Sequence, residues 1–234
     1  MSLFLLEKRL AVCASMVRKG AALADVGTDH AFLPVWLAKC GIVPKAVASD
    51  IRPGPLQHAA CNIEKYGVGS IVEPRLSNGL DGIRPDEADD VVIAGMGGLM
   101  ISDIIKRAQW LKDSGKHLIL QPMTREEALR SSLAEQGFYI LRERAVQEGR
   151  HIYTAMLSCY NPKKVDKSDI FQYIGRLSPN IAEDAAYMKR EMQRLWKHAN
   201  GLKLEGDEKR AEELFHIRSE IEKMLLPKLH EKEE

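Results

Sequence analysis

Ala21-Ala22-Leu23-Ala24-Asp25-Val26-Gly27-Thr28-Asp29-His30 is the stretch that decides the fold. Its apolar run, Ala21–Val26, reads as a short buried strand that ends in an acid and then a glycine turn. Ala31–Lys39 follows at helical spacing. Pro34 is tolerated in its first turn, where a backbone N–H has no intrahelical partner, and Gly41 stops it. The same strand, turn and helix recur. Ala46–Ser49 leads to Pro55–Lys65, where Leu56, Ala59, Ala60 and Ile63 share a face before Gly67. Ile71–Leu76, Asp90–Ala94 and His117–Gln121 read as strands three to five, with helices Leu99–Gln109 and Arg125–Glu135 after the last two. The text is that of a doubly wound α/β domain.

Two further runs, Phe138–Val146 and Arg150–Tyr160, are separated only by Gln147-Glu148-Gly149, so a hairpin replaces the βα rhythm and the last strand returns antiparallel. Five strands in βα rhythm plus this hairpin give the seven-stranded, Rossmann-like sheet of class I methyltransferases. A plain dinucleotide-binding fold would add another parallel strand. Outside the sheet, Leu3–Val17 reads as one amphipathic helix with Leu6, Leu10, Cys13 and Val17 on a stripe. Asn161–Asp169 is polar and linker-like. Beyond it, Ile181, Ala185, Met188, Met192, Leu195, Ala199 and Leu202 alternate steps of four and three, and Ala211, Leu214, Ile217, Ile221 and Met224 keep a looser pattern. With Lys203–Asp207 as connector, these runs predict an antiparallel, coiled-coil-like helical hairpin. The expected division is a sheet domain over 1–162 and a helical domain over 163–234.

The chain has 234 residues, 34 Lys+Arg against 33 Asp+Glu, and 45% apolar residues. Such a balance fits a soluble globular protein and excludes a disordered acidic tail. Cys13, Cys40, Cys61 and Cys159 form no CxxC pair and no His/Cys cluster, so no metal is expected; they read as buried or half-buried thiols in a reducing compartment. Glu7, Lys8 and Arg9 interrupt the apolar start before a signal-peptide core forms, and the run Val91–Ile101 is too short and too rich in glycine to span a membrane. A cytoplasmic protein with no membrane partner is expected.

The chemistry-bearing residues lie where strands end. Asp25 and Gly27 close the first strand, at the switch point where such folds bind nucleotides. GxGxxG is absent, since Asp29 and Ala31 follow Gly27. The extra carboxylate would repel a pyrophosphate but suits a ligand with an amino group and a sulfonium. Taken alone, Asp29 would be read as a helix N-cap. Asp50, followed by Ile51, stands where an acid accepts ribose hydroxyls. Asn78 and Gly79 present an amide to an adenine edge or form a plain turn. Gly95, Gly97 and Gly98, around Met96, leave space for a flat ring.

The stretches KRLAVCASMV, ADVGTDHAFLP, ASDIRPGPLQ, RLSNGL, VVIAGMGG and LILQPM, followed by the hairpin tail, resemble the bacterial tRNA (adenine-N1)-methyltransferases that act on adenine 22 of the tRNA body. The likeness runs in order through essentially the whole chain. It implies S-adenosylmethionine as cofactor, tRNA as partner, and a helical tail that helps to hold tRNA. Cofactor binding is expected at Asp25, Gly27, Asp50, Ile51, Asn78, Gly79 and Gly95. Asp29 is the expected catalytic carboxylate, near adenine N1 and N6. Arg9, His30, Met96 and Gly97 are expected to contact substrate, with Met96 lining the base pocket or filling core. No aromatic residue is singled out to stack on the base. Lys163–Leu204 holds nine basic and five acidic residues and Glu205–Glu234 six and ten, so the first arm offers Lys189, Arg190, Arg194 and Lys197 as a basic stripe for RNA. The rival readings are a small-molecule methyltransferase whose hairpin dimerises it and a non-catalytic adaptor. Monomer and weak dimer both fit the seam.

Overall fold

The computed structural model describes residues 3–226. Its seven strands are β1 (Leu23–Val26), β2 (Ala46–Asp50), β3 (Val72–Leu76), β4 (Asp90–Gly97), β5 (His117–Thr124), β6 (Phe138–Glu148) and β7 (His151–Tyr160). They form one sheet in the order β3-β2-β1-β4-β5-β7-β6. All neighbours are parallel except β7, which is antiparallel to both β5 and β6. The chain winds outward through β2 and β3, then jumps back past β1 to β4. That reversal opens a crevice at the carboxyl ends of β1 and β4, where open α/β sheets bind ligands.

Side chains alternate across the central strands. Leu23, Val92 and Ile119 point to a core shared with α1 (Lys8–Ala14), α2 (Phe32–Lys39) and α3 (Pro53–Lys65). Ala24, Val91, Ile93, Leu118 and Leu120 point to the opposite core, under α4 (Gly98–Arg107) and α5 (Glu126–Gln136). Burial on both faces is why these strands read as unbroken apolar runs. β3 contains Glu73, Pro74 and Arg75, which only an edge strand accommodates.

Several expectations change. The first helix is Lys8–Ala14, not Leu3–Val17. It begins where Glu148, far along the chain, accepts the Arg9 backbone N–H at 3.1 Å, so residues 3–7 run on as a non-helical strap. β4 does not stop at Ala94 but continues, with register shifts, opposite β5 as far as Thr124. A short helix, α6 (Asp169–Ile174), occupies the end of the expected linker. Cys40 and Cys61 are also exposed, whereas Cys13 is buried.

The tail is a hairpin of α7 (Ala182–Glu205) and α8 (Glu208–Leu225). Gly206 closes α7 in the left-handed conformation, and Asp207 caps α8 by accepting the Arg210 N–H. Met188, Leu195, Ala199, Ala211, Leu214, Ile217 and Ile221 form its own buried core. Met224 falls outside that seam and is exposed.

Candidate active site

Gly27 opens the turn after β1, and its φ of +77° is followed by +35° at Asp29 and +54° at Ala31. Left-handed backbone at two non-glycine residues is strained, and such strain persists where the surroundings hold it for function. Here the Gly27 and Thr28 N–H groups donate to the Ser49 carbonyl at 2.8 and 2.9 Å, clamping the turn to β2. Asp29 therefore does not cap α2; its carboxylate is 64% exposed, facing a cavity of about 600 Å³. His30 Nε2 lies 3.6 Å from that carboxylate.

Asp25 is buried below the turn and accepts the Thr28 hydroxyl at 2.5 Å. Burial pushes its carboxyl up to about 6, against a lesser opposing pull from the Thr28 hydrogen bond. A desolvated carboxylate without a cationic neighbour at the floor of a cavity suits an ammonium group.

The cavity joins Arg9, Asp25, Gly27, Asp29, His30 and Gly95. Arg9 is held by Glu148, whose Oε1 accepts its Nε at 3.1 Å, and it approaches the Gln121 amide oxygen at 3.5 Å. The same oxygen accepts the Gly95 N–H at 3.1 Å. A second hollow of about 520 Å³ lies on the other side of Gly27 and is lined by Asp50, Ile51, Asn78, Gly79, Met96 and Met100, among others. Asp50 accepts the Arg52 N–H through Oδ1 at 2.8 Å, and Asn78 Oδ1 is reached by Arg107 Nη2 at 3.4 Å. Gly27 lines both hollows; its φ of +77° disfavours any side chain, and a Cβ there would also displace the Met96 methyl.

Met96 thus lines the second hollow and not the cavity beside Asp29. Gly97 lines neither. A Cβ there would meet Thr124, and one at Gly98 would strike the Arg125 carbonyl, so Gly97 serves close packing of β4 on β5 and Gly98 the close approach of the α4 start to the turn before α5. Gln121, Glu148, Phe4, Phe32 and Tyr66 belong to the site without having been singled out from the sequence. For Gln121 a signal existed in its place at the end of the fifth strand.

The basic stripe divides. Arg190 pairs with Glu126 at 2.9 Å and Glu191 at 3.0 Å; Arg194 pairs with Glu127 at 2.8 Å and Glu191 at 2.9 Å. Both are committed to docking α7 on α5, contrary to a free RNA-facing role. Lys189 and Lys197 remain, beside Trp196 and Arg218 in an open groove.

A family model described as a methyltransferase domain matches residues 6–156. The tRNA (adenine(22)-N(1))-methyltransferase of Bacillus subtilis is 31% identical over 193 residues, 81% of each chain. The chain belongs to this methyltransferase family. The methyltransferase is also similar to a Streptococcus pneumoniae protein solved in complex with S-adenosyl-L-methionine, with TM-score 0.78 and 30% identity over 93% of this chain and 99% of that one. It is similar to M. capricolum TrmK in complex with S-adenosyl-homocysteine, with TM-score 0.80 and 26% identity over 94% and 100%. The two hollows share Gly27, and with the buried Asp25 lining the first and Asp50 and Asn78 the second, they fit a ligand that is adenosine at one end and a cationic amino acid at the other. Among the described residues of the methyltransferase, no helix is long and apolar enough to cross a membrane, and no group of three or more His, Cys, Asp or Glu residues is placed to hold a metal ion.

Proposed function

We propose that this chain transfers a methyl group from S-adenosylmethionine to N1 of an adenine in the tRNA body, at position 22. The observation that carries this reading is the exposed Asp29 carboxylate, held in a strained turn and lining the same cavity as Asp25 and Gly27. The cofactor supplies an electrophilic methyl carbon on a sulfonium. Asp50 and Asn78 hold its adenosine end, Asp25 its ammonium, and Arg9 its carboxylate. Gly27 and Gly95 allow the backbone to lie against it.

Adenine N1 carries an in-plane lone pair, so the N1–CH3 bond forms as the carbon–sulfur bond breaks, with no covalent enzyme intermediate. The work left to the protein is positioning. The Gly95-Met96-Gly97-Gly98 segment supports this, for it lacks the Asn/Asp-Pro-Pro-aromatic motif that grips an exocyclic amine. Methylation makes the base cationic. Asp29 stabilises that charge and accepts the N6 proton, and His30 orients the carboxylate.

N1 lies on the pairing edge, so the adenine leaves the helix to react. Lys189, Lys197 and Arg218 contact phosphates around the exposed Trp196 ring, 52% accessible. The hairpin satisfies its apolar seam within one chain, which supports a monomer or weak dimer. The test is mass spectrometry of nucleosides from unmodified tRNA after incubation with enzyme and cofactor. 1-Methyladenosine at position 22 is expected; Asp29→Ala retains cofactor binding by calorimetry but lowers the methylation rate about 100-fold or more. Full activity in that variant removes Asp29 from the mechanism.

A further inference from the structure

The cavity beside Asp29 is lined by two chemically different sets of residues. The first is Arg9, Asp25, Gly27 and Gly95, and the cofactor's charged groups account for it. The second is Phe4, Phe32 and Tyr66, and nothing in the mechanism above uses these rings. The cofactor's carboxylate gains nothing from an aromatic wall, and its ammonium is already matched by Asp25. A flat, splayed-out base does gain from one.

Phe4 and Tyr66 rest on the core shared with α1, α2 and α3 and, together with Phe32, also line the cavity. Phe32 opens α2, lines the cavity and is 40% exposed, so part of its ring is free to meet a ligand. Phe4 meets both Phe32 and Tyr66 edge-on, with centroids 5.2 and 5.1 Å apart. His30 stacks on Phe32 at 5.3 Å and on His58 at 4.9 Å, so Phe32 ends a column of three flat rings whose middle member, His30, has its Nε2 3.6 Å from the Asp29 carboxylate. Phe4 comes from the strap of residues 3–7, whose neighbour Leu5 is 96% exposed, and the strap is tethered at Arg9 by Glu148.

We propose that Phe32 and Phe4 form the stacking wall for the target adenine, placing its N1 and N6 edge against Asp29. This rests on the adenine-N1 reading given above. Stacking is sequence-tolerant, because every base has a π-face, so the wall holds the base while Asp29 reads its edge.

The test separates an aromatic face from apolar bulk. Phe32→Leu and Phe4→Leu keep volume and lose the ring, whereas Phe32→Tyr keeps the ring. With full-length protein and unmodified tRNA, the leucine variants are expected to lower kcat/KM for tRNA about 10- to 100-fold, the effect seen when a base loses its aromatic partner. Phe32→Tyr is expected to stay within about threefold, and calorimetric affinity for S-adenosylmethionine to stay at the wild-type value in all three. Leucine variants that methylate tRNA at the wild-type rate overturn the proposal. So does loss of cofactor binding in those variants, which assigns the wall to the cofactor or the fold. Wild-type protein that binds the cofactor but leaves tRNA unmethylated overturns instead the adenine-N1 reading on which the wall depends.

Discussion

Asp25 shows how one residue trades stability for binding. Its carboxyl, pushed up to about 6 by burial, stays protonated in the folded protein over a range where the unfolded chain has already ionised. The folded state then binds the extra proton, so this residue's contribution to stability is greatest at low pH and declines as pH rises from about 4 through 6. A cationic ligand reverses the preference by favouring the ionised form. Affinity for S-adenosylmethionine is therefore expected to fall by up to about tenfold per pH unit below pH 6, measured by calorimetry between about pH 5 and 8. Asp25→Asn is expected to flatten that profile, weaken binding at neutral pH, and raise the apo Tm by the equivalent of about 1–3 kcal/mol. A wild-type profile without pH dependence would remove Asp25 from the cofactor site. The places of Asp25 and Asp50 at strand ends were legible in the sequence, because an acid closing an apolar run marks a strand's carboxyl end, and Asp29 was legible as the extra acid in the glycine turn. The use made of Met96 and Gly97 was not, because register shifts in β4 decide which way those residues point.

At the scale of the element, α7 sorts four basic side chains into two kinds. Arg190 and Arg194 face α5 and neutralise Glu126, Glu127 and the buried Glu191. Lys189 and Lys197 face the groove with Trp196 and Arg218. Reversing Lys189 and Lys197 to Glu is expected to weaken tRNA affinity severalfold or more and to flatten its salt dependence, with Tm unchanged. Arg194→Ala is expected to do the opposite: a loss of about 1–3 kcal/mol in stability, read by urea titration, and little change in the salt slope. If Arg194→Ala instead flattened the salt slope as much as the lysine reversals do, the division of the stripe would be wrong. Helical periodicity announced the apolar seam. The four basic positions carry the same charge, so periodicity had no means of telling a paired arginine from a free lysine.

In the whole molecule, the hairpin and sheet meet around a fully buried ion pair. Arg130 of α5 donates to Glu143 of β6, at 2.6 Å from Nη2 and 3.1 Å from Nε. It also reaches the Tyr187 hydroxyl of α7 and the carbonyls of Gln172 and Tyr173. The Asp184 carboxylate accepts the Ala145 N–H at 2.8 Å. The separate apolar core of the tail supports our proposed division near residue 162, yet these polar contacts cross it. Arg130→Ala leaves Glu143 buried and unpaired, and is expected to cost about 3–5 kcal/mol in urea unfolding. A cost below about 1 kcal/mol would mean that water replaces the arginine readily. Deleting the tail would expose the same pair, so point reversals in α7 test RNA binding more cleanly than truncation.

By itself the sequence determined the strand and helix order, the antiparallel last strand, the acids at the switch point and the seam of the hairpin. All of these are written in neighbouring residues, as periods of two and 3.6 broken by glycine and proline. Only the tertiary structure decided that Glu148 starts the first helix 139 positions away, that the Gln121 amide joins Arg9 to Gly95, and that Phe4, Phe32 and Tyr66 converge on one wall. The tertiary fold also spent two of the four basic residues on carboxylates from another helix. Such pairings depend on which distant segments the sheet brings side by side, and no local pattern carries that information.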